Sequence, residues 1–209
     1  MRFLQPTLLA LAAVVFLAKP ATATSISDNF DTENGGVYAL NYYGFANFTV
    51  TSGSVDLIGA GSPYDAYPGN GLYIDMAGST GQYGALTTNQ IFSAGAYNVT
   101  LQVGGPIYAG ISDGLEVMCN CTVATHSTGD VAGLSVQTFS FNVILLANGT
   151  FSIADLGDSG NPNIGATLLS VDITPVPEPA TIALIGVGLL GAGALGRRRK
   201  KLAGTALNK

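Results

Sequence analysis

The stretch that decides the fold is residues 96–103, Ala-Tyr-Asn-Val-Thr-Leu-Gln-Val, in which apolar and polar side chains alternate. Successive side chains of a strand point to opposite faces of a sheet. One face of this segment therefore carries Tyr97, Val99, Leu101 and Val103. The same period recurs at Phe139, Phe141, Val143 and Leu145, and at Leu169, Val171 and Ile173. These segments predict antiparallel strands with one buried face.

Shorter apolar runs, separated by Gly, Asn, Pro, Ser and Asp, predict further strands. They lie at residues 37–43, 45–51, 55–58, 72–76, 83–88, 115–118 and 151–154. Short strands at this spacing are typical of sandwiches and jelly rolls, and no amphipathic helical pattern competes with them. The sequence therefore predicts an all-β fold, an antiparallel β-sandwich over residues 24–175.

Charged residues make up only 10% of the 209 residues, and they are unevenly distributed. All eight Lys and Arg residues lie in the two end segments, whereas all thirteen Asp and Glu residues lie between Asp28 and Glu178. Residues 20–196 thus have no basic side chain and a formal charge of −13. A chain whose body has no basic surface lacks the electrostatic footprint for nucleic acid, so nucleic-acid binding is excluded.

Residues 1–23 have the features of a secretory signal peptide. Arg2 gives a positive start, residues 8–18 form an apolar run, and Ala21-Thr22-Ala23 is a small-residue cleavage pattern. We therefore expect a signal helix that is cleaved after Ala23. The protein is then exported through the inner membrane by the secretion machinery.

A second apolar segment, residues 180–196, is followed at once by the basic run Arg197, Arg198, Arg199, Lys200 and Lys201. As a helix this segment spans roughly 25 Å, close to the roughly 30 Å of a hydrocarbon core. A basic run after an apolar segment is typical of a stop-transfer signal that stays cytoplasmic. We expect a transmembrane helix that anchors the precursor, followed by a short tail at residues 202–209.

Pro177, Glu178 and Pro179 stand directly before the apolar segment. The two prolines keep this stretch extended and open to a processing enzyme. The order of Pro-Glu-Pro, a short Gly-rich apolar segment and a basic run over residues 176–201 resembles the PEP-CTERM sorting signal of exported bacterial proteins. The resemblance implies recognition by a membrane-embedded exosortase, removal of the tail, and delivery to the cell surface or extracellular matrix. Residues 202–209 extend beyond the usual pattern.

Residues 40–50, 53–59 and 67–76 resemble the opening of galactose-binding-like jelly-roll domains found in PEP-CTERM proteins. This resemblance covers residues 40 to about 88 and implies a jelly-roll body. Relatives often carry an acidic residue where Ala77 stands here, and they tend to end with Leu-Asp-Asx-Val where this chain has Leu169-Ser170-Val171. These departures weaken an inference about the ligand site more than an inference about the fold.

Asp56, Asp65 and Asp75 lie near turns of this segment, and calcium takes six to eight oxygen ligands from such loops. They are the candidates for a calcium site, and solvated aspartates at loop and strand ends are the alternative. Tyr64, Asp65 and Tyr67 in the Pro-flanked loop are the candidates for ligand binding. A tyrosine ring offers a sugar flat apolar area with a polar tip.

Signs of catalysis are few in this sequence. His126 stands in a Thr/Ser-rich turn, where we expect it to be solvated, and no Gly-x-Ser-x-Gly elbow frames a serine for it. Asp113 and Glu116 are close in sequence, but nothing marks either of them as buried. The sequence therefore names no catalytic residue.

The two thiols, Cys119 and Cys121, are separated by one residue. In a strand their Cα atoms lie roughly 6.5–7 Å apart, at the limit for a disulfide. Export to an oxidising compartment leaves a local bridge, an intermolecular link and two reduced cysteines as open alternatives.

These features together favour an exported, exosortase-sorted, non-catalytic surface or matrix protein that contacts polysaccharide or neighbouring matrix proteins through its sandwich. The alternative is a small carbohydrate-active enzyme on the same scaffold. A purely structural module without a ligand is a third possibility.

Overall fold

The computed structural model describes residues 24–106 and 110–177, and within them the protein is built from antiparallel strands. A short 3-10 turn lies at Glu33–Gly36. The strands are β1 Ile26–Asp28, β2 Phe48–Ser52, β3 Asp56–Gly59, β4 Leu72–Asp75, β5 Ala77–Gly78, β6 Gln82–Tyr83, β7 Ala85–Thr88, β8 Gly95–Gly104, β9 Ser112–Asp113, β10 Leu115–Met118, β11 Thr125–Ser127, β12 Val131–Ala132, β13 Val136–Leu145, β14 Ser152–Asp155 and β15 Thr167–Pro175.

Two antiparallel sheets contain most of these strands. The six-stranded sheet has the order β13-β8-β15-β4-β3, and β1 pairs with the second half of β15. The five-stranded sheet has the order β11-β10-β14-β7-β2. Two small ribbons, β12 with β9 and β5 with β6, complete the described strands.

The apolar faces of the two sheets share one core. In β8 the side chains of Tyr97, Val99, Leu101 and Val103 are all buried, as the alternation predicts. They belong to the same buried cluster as Leu86, Val117 and Ile153, which come from the five-stranded sheet. Burying one such aliphatic side chain stabilises the fold by about 1.5–3 kcal/mol. The predicted all-β antiparallel sandwich is confirmed.

Residues 37–43 do not form the predicted strand. Ala39 alone pairs with Leu57 through an isolated bridge, and Asn41 has a φ of 50°, which no regular strand accommodates. The backbone N–H of Asn41 donates to the Asp56 carboxylate at 2.6 Å. This segment is therefore an irregular loop along the edge of β3, held by a side chain that the apolar pattern does not reveal.

The last strand differs from prediction at one residue. The pairing of β15 with β8 shifts register between Leu168 and Ser170, which is a β-bulge. A bulge adds one residue to a strand, so Leu168, Val171 and Ile173 face the main core, whereas Leu169 faces away from it. The prediction that Leu169 shares a face with Val171 is wrong for this reason.

His126 is not in a solvated turn, contrary to expectation. It lies in β11 opposite Val117, where it is partly buried, and its ring centroid is 5.4 Å from that of Phe141. Thr125, His126 and Ser127 have the composition of a turn, but they form a short strand at the edge of the sheet, so the turn is wrongly predicted.

The chain divides into two units, Met1–Pro175 and Val176–Lys209. The predicted signal helix at residues 1–23, the predicted transmembrane segment at 180–196, the basic run at 197–201 and the tail at 202–209 all lie outside the described residues, as do Glu178 and Pro179. In the described ranges, the structure has no helix of the length and apolarity that crossing a membrane requires.

Candidate functional site

The outer face of the six-stranded sheet carries the candidate site. Asp56, Asp75 and Thr167 are neighbours across β3, β4 and β15, and they point away from the core because Leu57, Ile74 and Leu168 point into it. The loop at residues 60–71 folds over the adjoining part of this face. There Ile58, Tyr67, Tyr73 and Leu169 form a second buried cluster.

Beside this second cluster lies a pocket of about 250 Å³. Residues from the four strands β3, β4, β5 and β15, from the turn after β5 and from the loops at 60–71 and 156–166 surround it. Its lining consists of Asp56, Ile58, Tyr64, Asp75, Ala77, Ser79, Asn163, Ile164, Gly165 and Thr167. The lining thus combines one aromatic ring with carboxyl, hydroxyl and amide groups.

Asp56 serves mainly as a local anchor. Its Oδ1 atom accepts hydrogen bonds from the backbone N–H groups of Asn41, at 2.6 Å, and Ser79, at 3.2 Å. Its Oδ2 atom accepts from the Ser79 hydroxyl at 2.5 Å. The side chain is buried, and these donors replace water around its charge. Asp56 therefore fixes the loop at residues 37–43 and the turn after β5 around the pocket.

Asp75 has a different environment. Its Oδ1 atom accepts from the backbone N–H of Ala77 at 3.0 Å, and no described residue hydrogen-bonds to its Oδ2 atom. Burial raises the pKa of Asp75 to about 8. The nearby charges of Asp56, Asp155 and Asp113 also raise this pKa, whereas the hydrogen bond from Ala77 lowers it. Near neutral pH this side chain is largely a neutral carboxylic acid, which both donates and accepts hydrogen bonds.

The structure separates the three residues predicted for ligand binding. Tyr64 lines the pocket with about half of its surface exposed. Tyr67 is buried, its hydroxyl donates to the carbonyl of Gly105, and burial raises its pKa. Asp65 accepts from the backbone N–H of Tyr67 and from the Tyr73 hydroxyl, both at 3.1 Å. Asp65 and Tyr67 thus build the loop that presents Tyr64.

The predicted calcium site from Asp56, Asp65 and Asp75 is not assembled. Asp56 and Asp75 face each other across β3 and β4, but Asp65 is bound to Tyr67 and Tyr73 in the loop. Within residues 24–106 and 110–177 no group of three or more His, Cys, Asp or Glu side chains is arranged to hold a metal ion.

Sequence reasoning missed several lining residues. Ser79, Asn163 and Thr167 reach the pocket from segments that are far apart in the chain. Serine, threonine and asparagine are common throughout this sequence, so nothing in the pattern distinguishes these three.

Asp113 is fully buried, which the sequence does not reveal. Its carboxylate accepts hydrogen bonds from the backbone N–H groups of Gly114, Asp158 and Ser159. Burial raises the pKa of the neighbouring Asp155, and the charge of Asp113 raises it further. These two carboxyl groups hold the loop at residues 156–166, which forms one wall of the pocket.

A disulfide joins Cys119 and Cys121. Their Cα atoms are 5.3 Å apart, because the chain turns at Asn120 rather than running extended. Of the three alternatives that the sequence leaves open, the structure has the local bridge.

Comparison with known proteins identifies one segment directly. A family model described as the PEP-CTERM protein-sorting motif matches residues 175–200. The chain carries a PEP-CTERM sorting motif. The match includes the predicted Pro177, Glu178 and Pro179 and most of the basic run. No curated protein matches the sequence.

Solved structures that match parts of this chain include enzymes and binding modules. An arabinose-bound α-L-arabinofuranosidase, MgGH51, is 16% identical with a TM-score of 0.46, over 69% of this chain and 27% of that chain. A GH26-CBM35 β-(1,4)-mannanase from Podospora anserina is 19% identical with a TM-score of 0.39, and the match covers 74% of this chain and 28% of the mannanase chain. This chain thus spans less than a third of either enzyme. The family 29 carbohydrate-binding module CBM29_1 from Piromyces equi is 14% identical with a TM-score of 0.41, and the match covers 74% of this chain and 92% of the module.

Proposed function

We propose that this protein is exported, sorted by an exosortase that removes its tail, and retained at the cell surface or in the extracellular matrix as a non-catalytic polysaccharide-binding protein. The observation that carries the proposal is the PEP-CTERM motif at residues 175–200, which begins at the last residue of β15. A folded sandwich followed at once by a sorting motif is suited to display outside the cell.

The pocket supports polysaccharide as the ligand. The half-exposed ring of Tyr64 provides a flat apolar surface on which a sugar ring can stack. Asp75, Ser79, Asn163 and Thr167 provide hydrogen-bonding groups around it. Such a combination of one aromatic surface with a few polar groups is typical of small-ligand sites.

The charge of the body favours a neutral polysaccharide. Residues 20–196 contain no Lys or Arg, so a uronate or sulfate group has no basic partner there. Thirteen acidic residues repel anionic chains at long range. We therefore assign neutral chains, read through hydroxyl contacts, as the ligand class.

Titration of the protein with the neutral fraction of its host's extracellular polysaccharide tests this proposal. We expect saturable binding, and about tenfold weaker binding for Tyr64→Ala, which corresponds to about 1.4 kcal/mol. The matched control is Tyr43→Ala, because Tyr43 and Tyr64 are 56% and 51% exposed and only Tyr64 lines the pocket.

The same titration is repeated with calcium and with a chelator, and binding should not differ, because Asp65 does not join Asp56 and Asp75. Absence of saturable binding, or equal affinities for Tyr64→Ala and Tyr43→Ala, would contradict the ligand assignment. In that case a structural module without a ligand is the remaining account.

The second candidate is a small carbohydrate-active enzyme, and one observation favours it. The pKa of Asp75 is raised to about 8 beside a second carboxylate, Asp56, and glycosidases use such pairs. Against it, the Asp56 oxygens are occupied by Asn41 and Ser79. Release of new reducing ends from the bound polysaccharide, lost in Asp75→Asn, would establish the enzyme.

A further inference from the structure

One end of the sandwich contains both points at which the chain enters and leaves it. Strand β15 ends at Pro175 opposite Tyr97, near the start of β8, and β13 ends at Leu145 opposite Gly95. Strand β1 begins at Ile26 opposite Ile173. We call this part of the molecule the exit end, and it comprises residues 24–26, 89–97, 119–124, 144–150 and 173–175.

The loops of the exit end are tied to one another. Phe92 and Gly149 exchange two backbone hydrogen bonds, at 2.8 and 2.9 Å. The N–H of Thr122 donates to the carbonyl of Ile144, and the N–H of Leu146 donates to the carbonyl of Asn120, both at 3.0 Å. The disulfide between Cys119 and Cys121 closes the tip of the hairpin between β10 and β11. The exit end is thus one connected surface.

Large apolar side chains are exposed on this surface. Ile91, Val123, Ile144 and Leu146 each have more than half of their surface open to solvent. Exposing several such side chains on one small region is unfavourable in water unless another apolar phase covers them.

The exit end is also free of charge. Residues 76–112, 117–129, 131–154 and 173–177 contain no Asp, Glu, Lys or Arg. By contrast, Asp75 lies opposite Thr167 at the start of β15, and Asp155 lies opposite Leu115 at the start of β10. The exit end itself is therefore uncharged. Asp172 and Asp28 lie one and two residues behind it, and Asp75 and Asp155 lie at the opposite end.

We propose that the exit end rests on the lipid surface of the membrane that the sorting segment enters, with Ile91, Val123, Ile144 and Leu146 inserted at the boundary between headgroups and acyl chains. This inference depends on the proposed function, in which residues 180–196 enter the membrane before the tail is removed. The five residues from Pro175 to residue 180 extend at most about 17 Å, so the exit end is tethered close to that membrane.

Physical chemistry favours this orientation over the reverse. Aliphatic side chains gain free energy on entering the interface, to a depth of about 5–10 Å. The acids of the opposite end are repelled by anionic lipid, whereas the exit end has no charge to desolvate. The contact holds the precursor in one orientation while its sorting motif is presented to the processing enzyme.

The full chain, reconstituted in phosphatidylcholine vesicles, tests the proposal, with single tryptophans as reporters because the protein has none. Leu146→Trp places the reporter at the exit end, and Leu134→Trp places it in the loop before β13 at the opposite end. The two leucines are matched, being 61% and 58% exposed. Brominated acyl chains quench only a tryptophan that reaches the bilayer.

We expect quenching of the Trp at position 146 by about half or more, and little quenching at position 134, because only an interfacial side chain contacts acyl chains. Adding Ile144→Asp to the Leu146→Trp variant should reduce its quenching. Equal quenching at the two positions would overturn the proposal, while flotation of the chain with the vesicles would still support the tail as a membrane segment. A chain that does not float contradicts both claims.

Discussion

Asp75 shows how burial sets the chemistry of a single residue. The pKa of Asp75 is raised to about 8 in the folded protein by burial and by the neighbouring carboxylates, whereas an unfolded chain gives an aspartate a pKa near 3.8. Between these two values the folded state binds more protons than the unfolded state. The free energy of unfolding therefore falls as pH rises from about 4 to about 8, by at most about 1.4 kcal/mol per pH unit from this group.

Denaturant unfolding at several pH values between 4 and 9 measures this effect. Asp75→Asn should flatten the decline, because an amide does not titrate. Burial also raises the pKa of Asp155, so part of the decline remains in the variant. Leu134→Ala, an exposed substitution that removes no titratable group, is the control and should leave the slope unchanged. If Asp75→Asn and the wild type decline in parallel, the environment assigned to Asp75 is wrong.

Substitution of Tyr67 should change stability and not polysaccharide affinity, unlike substitution of Tyr64. Its hydroxyl bonds to the Gly105 carbonyl in a buried cluster, so Tyr67→Phe should lower the free energy of unfolding by about 1 kcal/mol. Polysaccharide affinity should stay at the wild-type value, since Tyr67 does not line the pocket. Equilibrium unfolding and the titration described above measure the two quantities. A loss of affinity as large as that of Tyr64→Ala would place Tyr67 in the binding surface.

The contrast between these tyrosines defines how far the sequence predicts the site. Composition and the flanking prolines single out the loop at residues 60–71, and this loop does border the pocket. The sequence cannot tell which ring turns inward, because that depends on the approach of the loop to β8 and on the Gly105 carbonyl. Asp56 and Asp75 are predicted together with Asp65 as calcium ligands. The pattern does not reveal that Asp56 accepts hydrogen bonds from the distant residues Asn41 and Ser79, whereas Asp75, among the described residues, accepts one only from nearby Ala77.

At the scale of the element, the bulge in β15 connects the two clusters. It turns Leu169 under the loop at residues 60–71, against Ile58, Tyr67 and Tyr73. Leu169→Ala should lower the free energy of unfolding by about 2–5 kcal/mol and weaken polysaccharide binding, because the loop that presents Tyr64 loses its support. Exposed Leu134→Ala is the control. Wild-type stability and affinity in Leu169→Ala would contradict the packing of this side chain under the loop.

The hairpin between β10 and β11 carries the disulfide. A bridge that closes a loop of three residues stabilises the fold by about 1–2 kcal/mol in the chain-entropy model. We expect Cys119→Ser with Cys121→Ser to lose about that much. The wild type should migrate as a monomer in electrophoresis without reductant. A dimer band that disappears with reductant would show intermolecular pairing instead.

The strands show which elements a sequence predicts well. The strands β8 and β13 have ten residues each and alternate over most of that length, so the apolar period is evident in the sequence. The strands β9 and β12 have two residues each, and Thr125, His126 and Ser127 of β11 have the composition of a turn. Residues 37–43 are wrongly predicted as a strand because their apolar side chains, including Val37 and Leu40, remain exposed.

At the scale of the whole molecule, order along the chain carries the functional information. Four features follow one another along the chain: an apolar start, an acidic body without basic residues, a Pro-Glu-Pro motif and a basic run. The sorting motif is confirmed at residues 175–200. The pocket and the apolar exit end arise only when distant segments meet in the fold. The sequence therefore predicts where the protein goes better than what it binds.

In the proposed function, the motif at residues 175–200 directs removal of the tail. The most direct test is the intact mass of the protein recovered from the surface or matrix of its host. We predict a mature chain that has lost residues 1–23 and the tail, and a membrane-retained, untrimmed chain when Pro177, Glu178 and Pro179 are all replaced by alanine. Alanine at Thr205, Leu207 and Asn208, outside the motif, should leave trimming intact. Identical trimming of the Pro-Glu-Pro variant and the wild type would show that these three residues do not direct removal of the tail.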